Sequence, residues 1–352
     1  MLASSADGFA RATVFAPRLQ ALLGEHVGKE VFRLDADTVG VAGAELTRRL
    51  LDARAATEAE RPTFKPLHGR SIPRTDASKL MQALGRDVRD VRDVREALKR
   101  PVSADLDLCG PWPHVGHVYL RDLLLAGDPL RLRLLMDRML QLTPKLTWAV
   151  IAAGAAMPFK LQYNASALAT LTAAAGSYDE RRYAMGLYRR TAAPVCLNIS
   201  TLVANALWLG SPFDPAVPSR HIVYESLRLL PLSWNILRNA SPEYPALDSR
   251  IGSGDDVLVL PLLSHRDPAL WEAPEAFRPE RWDHLDPDNH PGYLPFGPAA
   301  ERCWARHMVM PLAERLLDAL RSQGLAVNPK QRTAMVPLTS LLGVAQVDVV
   351  RQ

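Results

Sequence analysis

The stretch that decides the fold of this chain reads Pro295-Phe296-Gly297-Pro298-Ala299-Ala300-Glu301-Arg302-Cys303-Trp304-Ala305. Its glycine and prolines indicate a loop, and the apolar spacing that follows predicts a helix from about Cys303 to Leu320. The pattern therefore delivers the thiol of Cys303 to the N-terminal end of a helix. The free N–H groups and the positive end of the helix dipole at such a position favour a thiolate.

Other features precede this loop in a fixed order. Glu225-Ser226-Leu227-Arg228 places a carboxylate and a guanidinium on one face of a predicted helix, Arg220 to Leu230, where they can pair. Arg238 follows on a predicted strand, and then comes the segment Phe277-Arg278-Pro279-Glu280-Arg281-Trp282. Each pattern is common alone, since Glu275 and Arg278 have the same spacing as Glu225 and Arg228. The information lies in the order of the set.

This ordered set resembles the cytochrome P450 family, in which an E-x-x-R helix, a P-E-R-[FW] segment and an F-G-x-x-x-x-x-C haem loop follow one another. Upstream, His117-Val118-Tyr119-Leu120-Arg121 is similar to the family's H-x-x-x-R helix. The resemblance extends from about Val31 and is strongest after Ser219. It implies a shortened, divergent, bacterial-type member with one domain over residues 1–352, mainly α with a small β part.

The resemblance also implies haem b as the cofactor, with Cys303 as the metal ligand. Phe296 is expected to pack beneath the haem ring near the sulfur. Three residues are the expected charge-assisted donors to the haem propionates: His117, Arg121 and Arg238. A charged structural network that locks the loop is expected from Glu225, Arg228 and Arg281. Cys109 and Cys196 are expected to be core residues.

Two departures from the family pattern bear on function. In the loop, Ala299 and Ala305 replace glycines, and Glu301 stands where the family has Arg or His, so that it would repel a propionate. The second departure lies in the predicted helix 179–209, which corresponds to the family's central helix. There, Leu197 and Asn198 occupy the acid and Thr positions of the family's [AG]-G-x-[DE]-T-T motif. Leucine cannot relay a proton, which leaves Asn198 as the catalytic candidate through hydrogen bonding.

The central helix has two other unusual features, a predicted kink and a short connection to the next helix. Pro194 predicts a kink, because it removes a backbone N–H. Only Trp208 to Ser219 separates this helix from the Glu225 helix, which leaves no room for the helix that the family places between them. We therefore expect a fold that is abbreviated at this point.

These features support three functional hypotheses. The leading one is a haem-thiolate oxidoreductase that carries out monooxygenase-type oxidation of a small apolar metabolite in a biosynthetic pathway, with electrons from a ferredoxin-type donor. The missing acid–Thr pair favours an alternative, a peroxide-dependent or redox-neutral haem-thiolate enzyme. A third is a non-catalytic P450-like partner of another enzyme such as a glycosyltransferase, against which Cys303 argues.

Composition limits the other functions. The 42 basic and 38 acidic residues give a net charge of +4 without a block of like charge, so no nucleic-acid partner is expected. Three scattered cysteines indicate a reducing cytoplasm rather than a disulfide framework. The N-terminal residues lack a signal peptide pattern. The longest uncharged run, Thr191 to Phe213, contains Pro194 and Asn205, so no membrane span is expected.

The coarse secondary structure follows from periodicity. Strands are expected at Val31–Asp35, Thr38–Val41, Ile236–Asn239 and Val257–Leu260, and a helix at Ala44–Ala53. A loop containing proline is expected from Arg61 to Pro73. Additional helices are expected in the ranges 77–84, 88–98, 118–142 with a break at 127–129, 147–156, 165–175 and 179–209.

Overall fold

The computed structural model describes residues 13–15, 17–57, 64–67, 70–72, 107–125, 196–238, 240–297, 303, 306–331, 336–338 and 342–352. Helices in these ranges are α1 (Pro17–His26), α2 (Ala44–Thr57), α3 (His114–Leu125), α4 (196–210), α5 (Ser219–Leu229), α6 (Tyr244–Leu247), α7 (Pro261–Ser264) and α8 (Arg306–Ser322). Short 3-10 helices cover Pro279–Asp283 and Pro329–Gln331. Within this part of the chain, no helix is both long and apolar enough to cross a membrane.

The strands of the described residues form small sheets. They are β1 (Thr13–Val14), β2 (Val31–Asp35), β3 (Thr38–Val41), β4 (Phe64–Leu67), β5 (Arg70–Ile72), β6 (Gly110–Trp112), β7 (Ile236–Arg238), β8 (Asp256–Val259), β9 (Leu325–Val327), β10 (Val336–Pro337) and β11 (Val347–Arg351). The largest sheet has the order β2-β3-β8-β7, with β3 and β8 parallel and the other pairs antiparallel. β11 pairs with both β6 and β9, and β1–β10 and β4–β5 are two-stranded.

The sheet β2-β3-β8-β7 packs on α2. Leu46 and Leu50 lie four residues apart, so they share the helix face that buries Val41 and Val259 of the sheet. The hairpin β2–β3 requires glycine at position 40, because a Cβ there would lie 2.3 Å from the ring of Phe32. Both strands of this hairpin have the bounds that the sequence predicts.

The main core lies between α4, α5 and α8. Buried apolar residues recur on α4 at Ile199, Leu202, Val203 and Leu207, and they belong to the same cluster as Leu316 of α8. Asn205, buried on α4, donates its amide to the carbonyl oxygen of Leu342 at 3.1 Å and accepts the Val344 N–H at 2.9 Å. The central helix is therefore fastened to the turn that precedes β11.

The prediction of a mainly helical fold with small sheets is confirmed. Residues 211–218 connect α4 directly to α5 and contain no helix, as the short spacing in the sequence requires. The helix at Arg220–Leu230 and the strands at 236–239 and 257–260 are found within one residue of their predicted bounds.

Other expectations were wrong. The segment Arg61 to Pro73 is not a plain loop, since β4 and β5 pair as an antiparallel hairpin in which backbone pairing tolerates Pro66 at the edge. The strands β6, β9 and β11 were not predicted. The helix expected from about Cys303 to Leu320 is found as α8, which covers Arg306–Ser322 in the described residues. The helices expected at 77–84, 88–98, 147–156 and 165–175, and the kink at Pro194, lie outside the described residues.

Candidate functional site

Cys303 is hydrogen-bonded through its backbone to Phe296, near the start of the same loop. Its N–H donates to the carbonyl oxygen of Phe296 at 2.7 Å, and its carbonyl accepts the N–H of Arg306, the first residue of α8, at 3.1 Å. Gly297 has a φ of +79°, the left-handed region that favours glycine, and its N–H donates to the carbonyl oxygen of Leu294. The backbone therefore closes the loop on both sides of Cys303 and presents the residue beside the start of a helix.

The three cysteines have different surroundings. Cys196 is buried on α4, and Cys109 is partly buried before β6, where burial and the neighbouring carboxylate of Asp107 raise the pKa of its thiol. Cys303 is exposed. Of the three, Cys303 is therefore the most exposed.

The carboxylate of Glu225 lies at the centre of a buried charged network. Arg228 donates Nη2 to Oε1 at 2.8 Å and Nε to Oε2 at 3.1 Å, and both side chains are 0% exposed. Arg281 donates its Nε to Oε1 at 3.1 Å. The indole N–H of Trp282 and the backbone N–H of Arg278 complete the set, each at 3.0 Å. These donors surround the carboxylate in a way that offsets the cost of its burial.

The two arginines of this network also donate hydrogen bonds to backbone carbonyl oxygens. Arg228 donates to the carbonyl oxygens of His265 at 2.8 Å, Pro274 at 2.6 Å and Ala276 at 3.0 Å. Arg281 donates to those of Glu272 and Ala273. The segment 272–276 is thus wrapped around two guanidinium groups, with Ala273 held at a φ of +44°. The E-x-x-R helix and the P-E-R-W segment are therefore connected through the backbone of residues 272–276, to which both arginines donate.

The expected propionate donors lie on two different elements. His117 is buried on α3, and Arg121 follows it on the same helix, with its side chain outside the described atoms. Arg238 ends β7 and is partly buried. Their role as donors to the haem propionates stays a prediction.

The described part of the central helix starts at Cys196. Leu197 and Asn198 are both partly buried in its first turn. One turn on, the buried hydroxyl of Ser200 donates to the carbonyl oxygens of Cys196 at 2.8 Å and Leu197 at 3.0 Å. Ser200 was not singled out in the sequence, because a serine within an apolar helical pattern carries no positional signal. The catalytic role of Asn198 stays a prediction.

Other residues of the site were given no role from the sequence, although His265 lies in Leu262–Pro268, a stretch that resembles the family segment before the haem loop. Trp282 was quoted only as the end of a motif, yet it donates to Glu225. His265 accepts the N–H of Leu294, at the start of the loop, at 2.8 Å. Tyr293 donates its hydroxyl to the carbonyl oxygen of Tyr224 at 3.0 Å, and burial raises the pKa of the Tyr293 hydroxyl well above its usual range. These contacts join residues far apart in the chain, so spacing alone could not reveal them.

The donor chemistry of the site fits a haem iron. Cys303 offers a soft sulfur ligand beside a helix start, which is the environment that stabilises a thiolate on iron. Its exposure leaves the sulfur accessible to such a group. Phe296, bonded to Cys303 through the backbone, is itself partly buried next to it in the fold.

Comparison with known proteins identifies this arrangement. Residues 220–307 match the model of the family described as Cytochrome P450. The fold is similar to that of the substrate-free cytochrome P450 CYP150A6 of Mycobacterium marinum, with a TM-score of 0.56 and 16% identity, over 97% of this chain and 98% of that one. The class that the structure defines is therefore the cytochrome P450 fold. A quarter of the chain, residues 220–307, is thus similar in sequence to the cytochrome P450 family.

Two curated relatives come from Streptomyces melanosporofaciens. Cyclooctatin synthase is 33% identical over 87 residues, which is 24% of this chain and 19% of the relative. Cyclooctat-9-en-7-ol 5-monooxygenase is 33% identical over 99 residues, 26% of this chain and 22% of the relative. The matched region thus spans about a fifth of the length of these relatives.

Proposed function

We propose that this protein is a haem-thiolate oxidoreductase that binds haem b through Cys303. The observation that carries the proposal is the geometry of Cys303, an exposed thiol whose N–H is fixed to Phe296 and whose carbonyl meets the first turn of α8. This arrangement sits within residues 220–307, which match the family model. The whole chain, 1–352, would act as a single domain.

When bound, haem b supplies an iron whose oxidising chemistry is promoted by electron donation from a cysteine thiolate. The residues of the chain would hold that cofactor in place. Cys303 would supply the ligand of the iron, and Phe296 would pack against the ring. His117, Arg121 and Arg238 would neutralise the propionates as charge-assisted donors. The network of Glu225, Arg228 and Arg281 would keep the loop rigid without touching the cofactor.

The reaction we propose is a monooxygenase-type oxidation of a small apolar metabolite in a biosynthetic pathway. Support comes from the name of one relative, a cyclooctat-9-en-7-ol 5-monooxygenase, although the match covers only 22% of that protein. Such a reaction needs electrons from a separate protein, for which a ferredoxin-type donor is the proposal. Asn198 would orient the proton donor, since its amide can hydrogen-bond but is not an acid.

An optical spectrum of the reduced, carbon monoxide-treated protein tests the iron ligand. We expect a thiolate-type band in the wild-type protein and its loss in Cys303→Ala. Cys109→Ala is the matched control, since Cys109 is partly buried in another part of the fold, and it should keep the band. A haem-loaded wild-type protein without the band, or a Cys303→Ala variant that retains it, would contradict the assignment of Cys303.

The second candidate, a peroxide-dependent or redox-neutral enzyme, is favoured by one specific observation. Leu197 and Asn198 occupy the first described turn of α4, where neither side chain is an acid. Turnover measured in parallel with peroxide alone, and with dioxygen plus a reductase and ferredoxin, distinguishes the two. Product formed only with the reductase supports the monooxygenase, and product formed with peroxide or with no oxidant supports the alternative.

The non-catalytic partner hypothesis predicts a different result. A purified, correctly folded protein that takes up no haem would favour that role over either enzyme.

A further inference from the structure

His265 connects the end of α5 to the start of the cysteine loop. It follows α7 directly, and its ring is 0% exposed. The Nδ1 atom lies 3.1 Å from the carbonyl oxygen of Arg228, and the Nε2 atom lies 2.8 Å from the backbone nitrogen of Leu294. Both nitrogens of the ring are therefore hydrogen-bonded, Nδ1 to a residue of the charged network and Nε2 to a residue of the loop.

These partners fix the tautomer of the ring. A backbone N–H can only donate, so Nε2 must present its lone pair to Leu294. In a neutral ring the proton then resides on Nδ1, which donates it to the carbonyl oxygen of Arg228. Burial, followed by the positive charge of Arg228, lowers the pKa of His265 to about 3. The neutral ring with both bonds in place is thus the form present near neutral pH.

The contacts continue from this ring to the thiol-bearing residue. The carbonyl oxygen of Leu294 accepts the N–H of Gly297, and the carbonyl oxygen of Phe296, between them, accepts the N–H of Cys303. On the other side, Arg228 is bound to Glu225 and to the carbonyl oxygen of His265 itself. An unbroken series of bonds therefore runs from the buried charged network, through the imidazole of His265, to the backbone of Cys303.

We infer that His265 is a positioning residue, which holds the loop so that the sulfur of Cys303 stays bound to the iron as a thiolate. The inference rests on the proposed function. It assigns to His265 a role that neither the E-x-x-R pattern nor the cysteine loop contains, because the residue belongs to neither segment. A histidine that only fills the core would add stability without affecting the state of the sulfur.

Substitutions at position 265 separate these two roles. His265→Phe keeps an aromatic ring beside Tyr293, whose centroid lies 5.4 Å from that of His265, but removes both hydrogen bonds. His265→Gln offers an amide oxygen to Leu294 and an amide N–H to Arg228, so it can replace both. Leu50→Ala is the control, because Leu50 is buried in the separate core between α2 and the sheet, and its loss leaves a cavity far from the loop.

The measurement is the carbon monoxide spectrum of each reduced variant, together with its haem content and its thermal unfolding temperature. All spectra are recorded at the same interval below each variant's own unfolding temperature. We expect a roughly tenfold or greater fall in the ratio of thiolate-type to neutral-thiol-type protein in His265→Phe, as is typical when the groups that orient a metal ligand are removed. His265→Gln should recover most of the ratio, and Leu50→Ala should keep it unchanged.

Two results would overturn the inference. One is a His265→Phe protein with the wild-type ratio, and the other is an equal loss of that ratio in Leu50→Ala. Should His265→Phe fail to fold, His265→Asn decides the question, because its shorter amide reaches the Arg228 side but not Leu294, so an unchanged ratio would again refute the role. A wild-type protein that shows no thiolate-type band refutes the proposed function itself, which distinguishes the two failures.

Discussion

Arg228 and Glu225 are joined by two parallel hydrogen bonds. The Nη2 atom of Arg228 donates to Oε1 of Glu225 at 2.8 Å, and its Nε atom donates to Oε2 at 3.1 Å. The planar guanidinium matches the carboxylate in this arrangement, which a lysine ammonium cannot do. Because the same guanidinium also binds the carbonyl oxygens of His265, Pro274 and Ala276, the pair ties α5 to two other backbone segments. Its value lies in fixing the relative positions of these segments.

The first prediction compares three arginines around Glu225. Arg228→Met leaves a buried carboxylate partly unpaired and three carbonyl oxygens without their donor, so we expect the free energy of unfolding to fall by about 3–5 kcal/mol. Arg281→Met removes one bond to Glu225 and two to carbonyl oxygens from a partly exposed site. We expect a loss of about 1–3 kcal/mol there. Urea titration of each variant gives both values.

Arg278→Met is the control in this series. Among the described residues, its side chain pairs with the exposed carboxylates of Glu272 and Glu280, whereas its backbone N–H still reaches Glu225. The substitution should cost less than about 1 kcal/mol. Equal losses for the three arginines would show that the network does not depend on the buried bidentate pair.

Part of this site was predictable from sequence, because its residues occur in ordered local motifs. Glu225 and Arg228 are one helical turn apart, and the segment containing Arg281 has a recognisable composition. The hairpin β2–β3 was equally local, since the alternation of Val31–Asp35 and Thr38–Val41 sets its register.

The remainder depends on contacts that spacing does not encode. His265 meets Arg228 from 37 residues away and Leu294 from 29 residues away. β11 takes up its place only because β6 and β9 flank it, and these strands are distant in the chain. The hairpin of β4 and β5 was misread because Pro66 argues against a strand locally, whereas pairing at the edge of a ribbon tolerates it.

The second prediction concerns Ala273, whose carbonyl is held by Arg281. Its φ of +44° lies in the left-handed region, where an L-residue with a Cβ is strained by about 1–2 kcal/mol. Ala273→Gly removes that strain but adds freedom to the unfolded chain, so we expect a net gain of up to about 1 kcal/mol. Ala276→Gly is the control, since Ala276 is exposed in the same segment with an ordinary φ, and it should lose stability. A destabilised Ala273→Gly protein would contradict the strain argument.

The third prediction is a pH dependence caused by His265. The pKa of this residue is lowered from 6.5 to about 3 in the folded protein, so the folded state binds its proton less readily than the unfolded chain does. The stability linked to this group is therefore complete above pH 6.5 and decreases as the pH falls from 6.5 towards 3, by about 1.4 kcal/mol per pH unit. Urea titrations across this window should show that slope reduced in His265→Gln.

His284→Gln is the reference for that experiment, because His284 is an exposed histidine in the same part of the chain. It measures how far the removal of a surface imidazole alone changes the slope of stability against pH. If the wild-type protein and His265→Gln have the same slope between pH 6.5 and pH 4, His265 is not buried as the neutral ring.

The fourth prediction contrasts two helical glycines. A Cβ at Gly116 would lie 2.2 Å from the ring of Trp112, which is 0% exposed and donates its indole N–H to the carbonyl oxygen of Leu108 at 3.0 Å. Trp112 cannot withdraw without breaking that bond and disturbing β6, so Gly116→Ala must displace the start of α3. We expect a loss of about 1–3 kcal/mol, the usual cost of overpacking a core.

Gly24 on α1 is the opposite case, since nothing lies within 4 Å of a Cβ built there. Gly24→Ala should gain up to about 1 kcal/mol from helix propensity alone. The two variants also differ in their expected effect on cofactor binding, because Gly116 is adjacent to His117, a proposed propionate donor. Haem affinity, measured by titration into the cofactor-free protein, should fall in Gly116→Ala and stay unchanged in Gly24→Ala. If Gly116→Ala loses stability while its haem affinity is fully retained, then the position of α3 does not control the cofactor, and the assignment of His117 to a propionate is wrong.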